Sequence, residues 1–279
     1  MPEMPEIQAH AERLTEDFGG AVLDGFVPLT FTALKTASPS AKEAVGAPLV
    51  DVGRRGKYLL LRFEAVVFVV HLMQGGRLKP DPKQARKPRG GQARWRFADG
   101  RALLLTEAGT ERKAGVWLMP GAGDPTDPPL DRLGPEAADL DRDTLATLLS
   151  EHSMRLHGWL RDQHIVAGLG RRLANEICHR AKLSPFASTA KLAGDAIDRL
   201  LAAIHECIAE SLAYERSRGD MSSSKERPGA VHHRTGESCP VCGDTVRAVE
   251  YRSYTVNYCP TCQTAGKTLA DNTTSKFLK

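Results

Sequence analysis

Residues 239–262 read CPVCGDTVRAVEYRSYTVNYCPTC, and this stretch decides the fold of the C-terminal part of the chain. It contains two C-x2-C pairs separated by sixteen residues, a spacing typical of a zinc site with four thiolate ligands. Four Cys ligands leave no open position for a substrate, so such a site is structural. A pair of disulfides is the alternative, but a chain without a secretion signal keeps its thiols reduced. We therefore predict one structural Zn²⁺ ion bound by Cys239, Cys242, Cys259 and Cys262.

Two short strands are predicted between the cysteine pairs, over Thr245–Glu250 and Ser253–Tyr258, so the ion is expected to hold a β-hairpin. Upstream, from Asp141 to Tyr214, the apolar residues recur with a helical period. The segment Pro120–Pro135 is dense in Pro, Gly and Asp and is interpreted as a linker. The chain begins with a predicted helix over residues 5–18 and then becomes rich in β signals.

Four strands are predicted in this β-rich part of the chain. Tyr58–Phe63 and Ala65–Leu72 are adjacent apolar runs, and Ala93–Phe97 is expected to pair with Arg101–Thr106. The segment Arg77–Arg96 contains eight basic residues, one acid and several Gly and Pro, and it is predicted to be a loop.

The composition of the 279-residue chain excludes several classes of protein. A hydrophobic content of 41% is enough for a core, which excludes a disordered chain and a polar solenoid. The longest apolar run, Ala65–Val70, is far shorter than the ~18 residues that a membrane span needs. The N-terminus lacks the basic start and apolar stretch of a secretory signal. We expect a soluble, cytoplasmic protein with no membrane partner.

The net charge of +4 is distributed unevenly. Residues 51–100 contain twelve Lys and Arg against four Asp and Glu, a local charge of +8. Residues 101–150 contain five against nine, a local charge of −4. This asymmetry indicates an anionic partner on one face, nucleic acid being the commonest, with a solvated basic loop as the alternative.

Pro2 and Glu3 offer a nucleophile and an acid at the start of the chain. Removal of the initiator Met exposes Pro2 as a secondary amine, and an α-amine titrates well below a lysine. A helix N-terminus disfavours its cation further, so the free amine can attack a sugar or aldehyde carbon and form an iminium. Glu3 is placed to supply the proton in that attack. Alone, a Pro-Glu pair near the start of a chain has no functional meaning in most proteins.

Two further segments contain groups that bind phosphate. Lys57 lies in a basic turn before a strand, where it either anchors a phosphate or is an ordinary surface lysine. Gly168 and Gly170 precede a predicted helix that begins near Arg171, and Arg172 follows. Such a glycine-rich turn directs backbone N–H groups at an anion, although G-x-G is equally common between two helices.

Taken together, these segments resemble the formamidopyrimidine-DNA glycosylase/endonuclease VIII family of base-excision repair enzymes. The resemblance runs nearly end to end and keeps the order of the family's segments. The segments that carry it are MPEMPE at residues 1–6, Arg54–Leu60, His71–Gly76, Asp162–Pro185, and the cysteine region Val231–Cys239 with Cys259–Gln263.

The resemblance implies an α+β fold: an N-terminal β-sandwich flanked by helices, a helical helix-two-turns-helix domain, and a C-terminal zinc-bound β-hairpin. The expected boundaries are 1–119 for the catalytic domain, 120–140 for the linker, 141–230 for the helical domain and 231–279 for the finger and tail. The implied partner is double-stranded DNA containing oxidised bases or abasic sites, bound by a monomer.

The resemblance also implies roles for individual residues. Pro2 would attack C1′ of a flipped-out damaged nucleotide, Glu3 would assist proton transfers, and Lys57 would hold a phosphate. The iminium would then permit β- and δ-elimination, which needs no metal. The residues expected to contact DNA are His71, Met73, Gln74, Arg112, Lys113, Gly170, Arg171, Arg172, Asn175, Arg252 and Tyr254.

The sequence departs from the family pattern at several of these positions. Arg171 replaces the usual phosphate-binding Asn, and Ala114 replaces an aromatic wedge residue. The family finger has an Arg five residues before its third Cys; here that position is Tyr254, and Arg252 is the nearest Arg. These departures favour a second hypothesis, a non-catalytic or weakly active protein that binds damaged DNA. A third is an unrelated zinc-ribbon nucleic-acid binder.

Overall fold

The computed structural model describes residues 1–109, 112–121, 127–221, 226–251 and 254–269. The chain divides into two compact units, Met1–Arg132 and Leu133–Lys279, called here the N-terminal and C-terminal units. The boundary between them falls inside the segment predicted as a linker.

The N-terminal unit is a β-sandwich with one long helix, α1 (Met4–Phe18). Its two four-stranded antiparallel sheets have the orders β1-β6-β7-β5 and β2-β3-β4-β8. Phe68 of the second sheet lies 5.1 Å from Phe26 and 5.7 Å from Trp95 of the first, ring centre to ring centre, so the sheets share an aromatic core. The strands are β1 (Leu23–Pro28), β2 (Asp51–Arg55), β3 (Tyr58–Arg62), β4 (Val66–His71), β5 (Gly76–Pro80), β6 (Gly91–Phe97), β7 (Ala102–Glu107) and β8 (Gly115–Pro120).

The prediction of a loop over Arg77–Arg96 is wrong at both ends, where β5 and β6 form. In β5 the side chain of Leu78 is fully buried, whereas its neighbours Arg77 and Lys79 point outward, so basic and buried apolar positions alternate along the strand. In β6 the buried Arg94 donates to Asp81 across 2.8 Å. The many basic residues of this segment therefore hid the alternation of two strands, both of which are stabilised by pairing with β7.

The C-terminal unit contains four helices followed by the finger. Helix α4 packs against α5 and against strand β10 of the finger. The elements are α2 (Arg142–Glu151), α3 (Leu156–Trp159), α4 (Arg171–Arg180), α5 (Asp195–Arg216), the antiparallel hairpin β9 (Arg247–Glu250) and β10 (Thr255–Tyr258), and the short helix α6 (Pro260–Thr264). Among the described residues, no helix has the length and apolar character needed to cross a membrane.

Candidate functional site

The N-terminal unit brings many of its predicted site residues to one edge of the β2-β3-β4-β8 sheet. Arg55 pairs with Tyr58, Tyr58 with His71, and His71 with Gly115, so these four residues form one row across the sheet. Because these residues are the ends of their strands, the turns that follow β2 and β4 and the loop that precedes β8 all lie at the same edge of the sheet. The predicted residues on these turns are Lys57, Met73, Gln74, Arg112 and Lys113.

Lys57 occupies the two-residue turn between β2 and β3. Its partner in the turn, Gly56, has φ of +55°, a left-handed conformation that glycine adopts without a Cβ clash. Lys57 is only 6% exposed. An ammonium group is costly to bury unless it is paired, so this burial does not fit an ordinary solvated surface lysine.

Helix α1 runs antiparallel to β2 and directs its N-terminus toward the Lys57 turn. Near its C-terminal end, Thr15 Oγ1 accepts a hydrogen bond of 2.8 Å from Val52 N. Nearer its start, Gln8 Oε1 accepts from Arg54 Nε at 3.1 Å. The helix start and the lysine turn are consequently close in the fold.

Glu3 forms the N-cap of α1, directly after Pro2. Its side chain is buried, and its backbone N donates to Glu6 Oε2 at 3.1 Å in a capping box. The capping box fixes the position of Glu3 relative to the first helical turn. Pro2 therefore lies directly before the N-terminus of α1, where the helix dipole disfavours positive charge.

His71 holds the turn that presents Met73 and Gln74. Its Nδ1 accepts a hydrogen bond of 3.0 Å from Met73 N, and Met73 has a left-handed φ of +51°. Burial, assisted by the charge of Lys57, lowers the pKa of His71 to about 4. The neutral imidazole is therefore an acceptor that shapes the turn, while Gln74 is exposed at its tip.

The loop between β7 and β8 exposes Arg112 and Lys113. The next residue, Ala114, is fully buried, and its N donates to Glu107 Oε2 at 2.7 Å. This hydrogen bond fixes the end of the loop that returns to the sheet. The position where the resemblance implies an aromatic wedge is thus occupied by a small interior side chain.

In the C-terminal unit, helix α4 starts after the glycine-rich turn as predicted from the sequence. Gly170 is its buried N-cap, and Arg171, the first helical residue, is partly exposed. Arg172 is buried, and its guanidinium donates to the carbonyl of Pro228 at 2.6 Å. The Arg172 guanidinium is therefore hydrogen-bonded inside the unit, and its predicted DNA contact stays a prediction.

Asn175, also predicted to contact DNA, is hydrogen-bonded within the same unit, and its predicted DNA contact stays a prediction. Its fully buried side-chain Nδ2 lies 2.9 Å from His232 Nδ1 and 3.3 Å from Asn257 Oδ1. Beside it, the carboxylate of Glu176 accepts hydrogen bonds from Ala230 N at 2.7 Å and His232 N at 2.8 Å. These two α4 residues join the helix to the segment that enters the finger and to β10.

Tyr254 is partly exposed next to β10, whereas Arg252 lies outside the described residues. The ring of Tyr254 stacks on Tyr251, with centres 4.6 Å apart and an interplanar angle of 11°. The guanidinium of Arg161 lies 4.1 Å from the centre of the Tyr254 ring. Sequence reasoning missed Arg161, because no motif marks a basic residue that stacks on a distant ring.

The four predicted cysteine ligands lie together. Cys239 Sγ is 3.9 Å from Cys262 Sγ, and Cys242 Sγ is 3.3 Å from Cys259 Sγ. Tetrahedral zinc with Zn–S bonds of about 2.3 Å separates its sulfur ligands by roughly 3.8 Å. The thiol arrangement therefore fits a four-coordinate metal ion.

A fifth candidate ligand, His179, lies beside this cluster. Its Nε2 is 3.3 Å from Cys239 Sγ, and with Cys239, Cys259 and Cys262 it forms a group whose ligand atoms lie within 4.8 Å of one another. Although burial opposes the effect, hydrogen bonds from two backbone N–H groups of the Cys239–Cys242 turn and from His179 lower the pKa of Cys239. Sequence reasoning missed His179, although it lies four residues after Asn175 on the buried face of α4.

Comparison with known proteins identifies the family. Two family models match the chain, the formamidopyrimidine-DNA glycosylase N-terminal domain over residues 1–116 and the formamidopyrimidine-DNA glycosylase H2TH domain over residues 133–223. A formamidopyrimidine-DNA glycosylase of Chloroflexus aurantiacus is 30% identical over 285 residues, covering 94% of this chain and 98% of that protein. The chain belongs to the formamidopyrimidine-DNA glycosylase family.

Other relatives agree with this family. An uncharacterized formamidopyrimidine-DNA glycosylase-like protein of Mycobacterium tuberculosis is 46% identical over 153 residues, covering 53% of this chain and 94% of that protein. The Lactococcus lactis glycosylase bound to abasic-site DNA has a TM-score of 0.81 at 21% identity, covering 94% of this chain and 99% of that one. The same enzyme with DNA containing an oxidized pyrimidine gives a TM-score of 0.82 at 22% identity, covering 94% of this chain and all of that one.

These matches confirm the predicted family and fold class. The α+β fold contains N-terminal sheets, a helical helix-two-turns-helix domain and a cysteine cluster with a strand hairpin, as the formamidopyrimidine-DNA glycosylase resemblance implies. Membership assigns the chain to a family of DNA-repair glycosylases that bind DNA.

Proposed function

We propose that this protein is a bifunctional DNA glycosylase and abasic-site lyase that removes oxidised bases through a Schiff base at Pro2. The observation that carries the proposal is the common sheet edge of the N-terminal unit, toward which α1 directs Pro2 and Glu3 and where Lys57 lies buried. A nucleophile, an acid and a phosphate-binding cation are the three groups that this reaction requires.

The reaction proceeds by attack of the Pro2 nitrogen, exposed by removal of Met1, on C1′ of the damaged nucleotide. The bond from C1′ to the base breaks, the base leaves with a proton, and an iminium links Pro2 to C1′ as the sugar ring opens. Glu3 relays the protons. The iminium acidifies the C2′ proton, whose loss drives β-elimination of the 3′ phosphate and then δ-elimination of the 5′ phosphate, and water hydrolyses the iminium to release the enzyme.

Strand cleavage of duplexes carrying one oxidised base tests this proposal. We expect Pro2→Gly to abolish cleavage, and Glu3→Gln and Lys57→Ala to slow it by about 100-fold or more, as loss of a positioned acid or charge does. Lys42→Ala, which alters an exposed lysine, is the matched control and should leave the rate unchanged. A panel of oxidised purines and pyrimidines in the same duplex identifies the preferred lesion.

A second candidate function is binding of damaged or abasic DNA without efficient cleavage. Three departures favour it, since each falls where the family resemblance implies a DNA contact: Ala114, which is buried, Arg171 at the start of α4, and Tyr254 in the finger. Tight binding of an abasic duplex without cleavage of any lesion would support this function and contradict the first.

We propose further that the cysteine cluster holds one zinc ion through Cys239, Cys242, Cys259 and Cys262. In this proposal His179 donates an N–H hydrogen bond to the Cys239 thiolate without binding the ion, and this contact strengthens metal retention. Cys242→Ser should reduce bound zinc sharply, whereas His179→Phe should keep one ion per chain and release it faster to a chelator. Loss of the ion in His179→Phe with retention in Cys242→Ser would identify His179 as the ligand instead.

A further inference from the structure

A stacked group of side chains in the C-terminal unit joins the helical segment to the finger. Arg161, just beyond α3, lies 4.1 Å from the Tyr254 ring centre, and Tyr254 lies 4.6 Å from Tyr251. The buried His157 ring is parallel to Tyr254 within 11°, at 6.1 Å. Arg161, Tyr251 and Tyr254 all remain partly exposed, so the group lies at the surface.

The guanidinium of Arg161 is the charged member of this group. Among the residues that the structure describes, no carboxylate lies within ion-pair distance of it. The adjacent Asp162 accepts a hydrogen bond of 2.9 Å from His164 N, which fixes that carboxylate in its own turn. Stacking occupies the face of the planar guanidinium and leaves its N–H edge available for an anion.

The buried imidazole of His157 adds no positive charge to this group. Burial first, and then the charges of Arg161 and Arg171, lower the pKa of His157 to about 3. His157 is therefore neutral, and Arg161 is the cation of the stacked group.

We propose that Arg161, held in place by Tyr254, binds a phosphate of the DNA backbone. The planar N–H edge of an arginine matches phosphate geometry and forms paired hydrogen bonds with it. Tyr254 is a positioning residue here, because its ring contacts both Arg161 and Tyr251 and its contribution is the orientation of the guanidinium. The inference rests on DNA binding by this protein and adds a contact that joins the helical domain to the finger.

Salt-dependent binding tests this contact without requiring cleavage. The probe is a duplex with a tetrahydrofuran abasic analogue, titrated by fluorescence anisotropy between roughly 50 and 200 mM salt. We expect Arg161→Ala to reduce the slope of log Kd against log salt by about 0.9, the effect of one lost phosphate contact. Arg161→Lys should keep the slope, and Arg142→Ala, an exposed arginine paired with Asp198, is the matched control.

Tyrosine variants separate positioning from direct contact. Tyr254→Phe keeps the ring and should bind as the unaltered protein does, whereas Tyr254→Leu should reduce the slope as Arg161→Ala does. The double variant Arg161→Ala/Tyr254→Leu should bind DNA no more weakly than Arg161→Ala, since each of the two changes removes the same phosphate contact.

Two results would overturn the inference. An unchanged slope and Kd in Arg161→Ala, with a lowered melting temperature, would make the stack a structural contact only. Absence of binding by the unaltered protein would overturn the inference together with DNA as the partner. Cleavage measured separately on oxidised duplexes distinguishes failure of this contact from failure of the proposed catalysis.

Discussion

In the N-terminal unit the predicted contacts Gln74, Arg112 and Lys113 lie exposed on turns at one sheet edge. In the C-terminal unit the predicted contacts Arg172 and Asn175 are buried, and their polar atoms bind other parts of the same unit. One unit thus presents its polar motif residues to solvent, whereas the other uses part of its motif to hold the finger against α4. A motif alone does not distinguish these two uses, because both require polar side chains at fixed spacing.

The largest effect is expected from loss of a cysteine ligand, which should impair DNA binding by the finger but not the reaction at Pro2. Cys259→Ser should abolish metal binding and unfold the finger, whose interior contains Val231, Val246 and Cys239, because metal binding supplies much of the folding free energy of such sites. Abasic-DNA binding should weaken strongly, while the Pro2 reaction at saturating DNA persists. Metal analysis and binding assays check this, with Cys207→Ser on α5 as the control. Efficient borohydride trapping of the covalent Pro2–DNA intermediate at low DNA concentration in this variant would show that the finger is not needed for binding.

A smaller effect is expected on the pH dependence of stability, which involves His10, the buried histidine of α1. His10 Nε2 lies 2.8 Å from the Leu78 carbonyl, and burial lowers its pKa from 6.5 to about 4. Between pH 6.5 and 4 the His10 side chain binds more protons in the unfolded chain than in the folded one, so its contribution to the free energy of unfolding falls toward pH 4 and is constant above 6.5. The loss is on the order of 3 kcal/mol, and His10→Gln should remove it from denaturant titrations across this range. The exposed His205→Gln is the control, and a pH profile unaltered by His10→Gln would refute the assignment.

The variant Asn175→Ala tests whether this buried residue of the C-terminal unit stabilises the fold or contacts DNA. Its loss removes the partner of the buried His232 Nδ1 and one of the hydrogen bonds of Asn257, which costs about 1–3 kcal/mol in the free energy of unfolding. The salt slope of DNA binding should stay unchanged when the variant is measured folded. A reduced slope with unaltered stability would return Asn175 to the DNA interface and break the contrast between the units.

The smallest effect on stability is expected at the exposed loop of the N-terminal unit. Arg112→Ala and Lys113→Ala should each change the free energy of unfolding by less than about 0.5 kcal/mol. Each should reduce the salt slope of binding by about 0.9 if it contacts one phosphate. Loss of stability without a change in slope would place these residues with Asn175 as structural ones.

Much of the fold could be predicted from the sequence because its signals are local. The cysteine spacing, the helical period of α4 and the apolar runs of β3 and β4 each follow from neighbouring residues. Strand β5 was missed because its basic residues alternate with Leu78 over only five positions, and pairing with β7 decides its conformation. Contacts between distant segments supply that information, and a single sequence does not contain it.

The candidate site could be predicted only in part for the same reason. Periodicity indicates that one face of α4 is buried, but it does not show that Asn175 meets His232 or that His179 meets Cys239. Arg161 has no sequence signal, since its partner Tyr254 lies far along the chain. Pro2, Glu3 and Lys57 were singled out by their chemistry and given roles by the family resemblance, and those catalytic roles stay predictions.

Borohydride trapping on abasic-site DNA, followed by mass spectrometry of the linked peptide, tests the central claim most directly. The reductant converts an iminium into a stable amine, so a covalent intermediate is captured at the nitrogen that formed it. We predict one adduct on the Pro2 nitrogen, absent in Pro2→Gly and retained in Asn175→Ala. An adduct on a lysine, or no adduct from a protein that binds the same DNA tightly, would contradict the account.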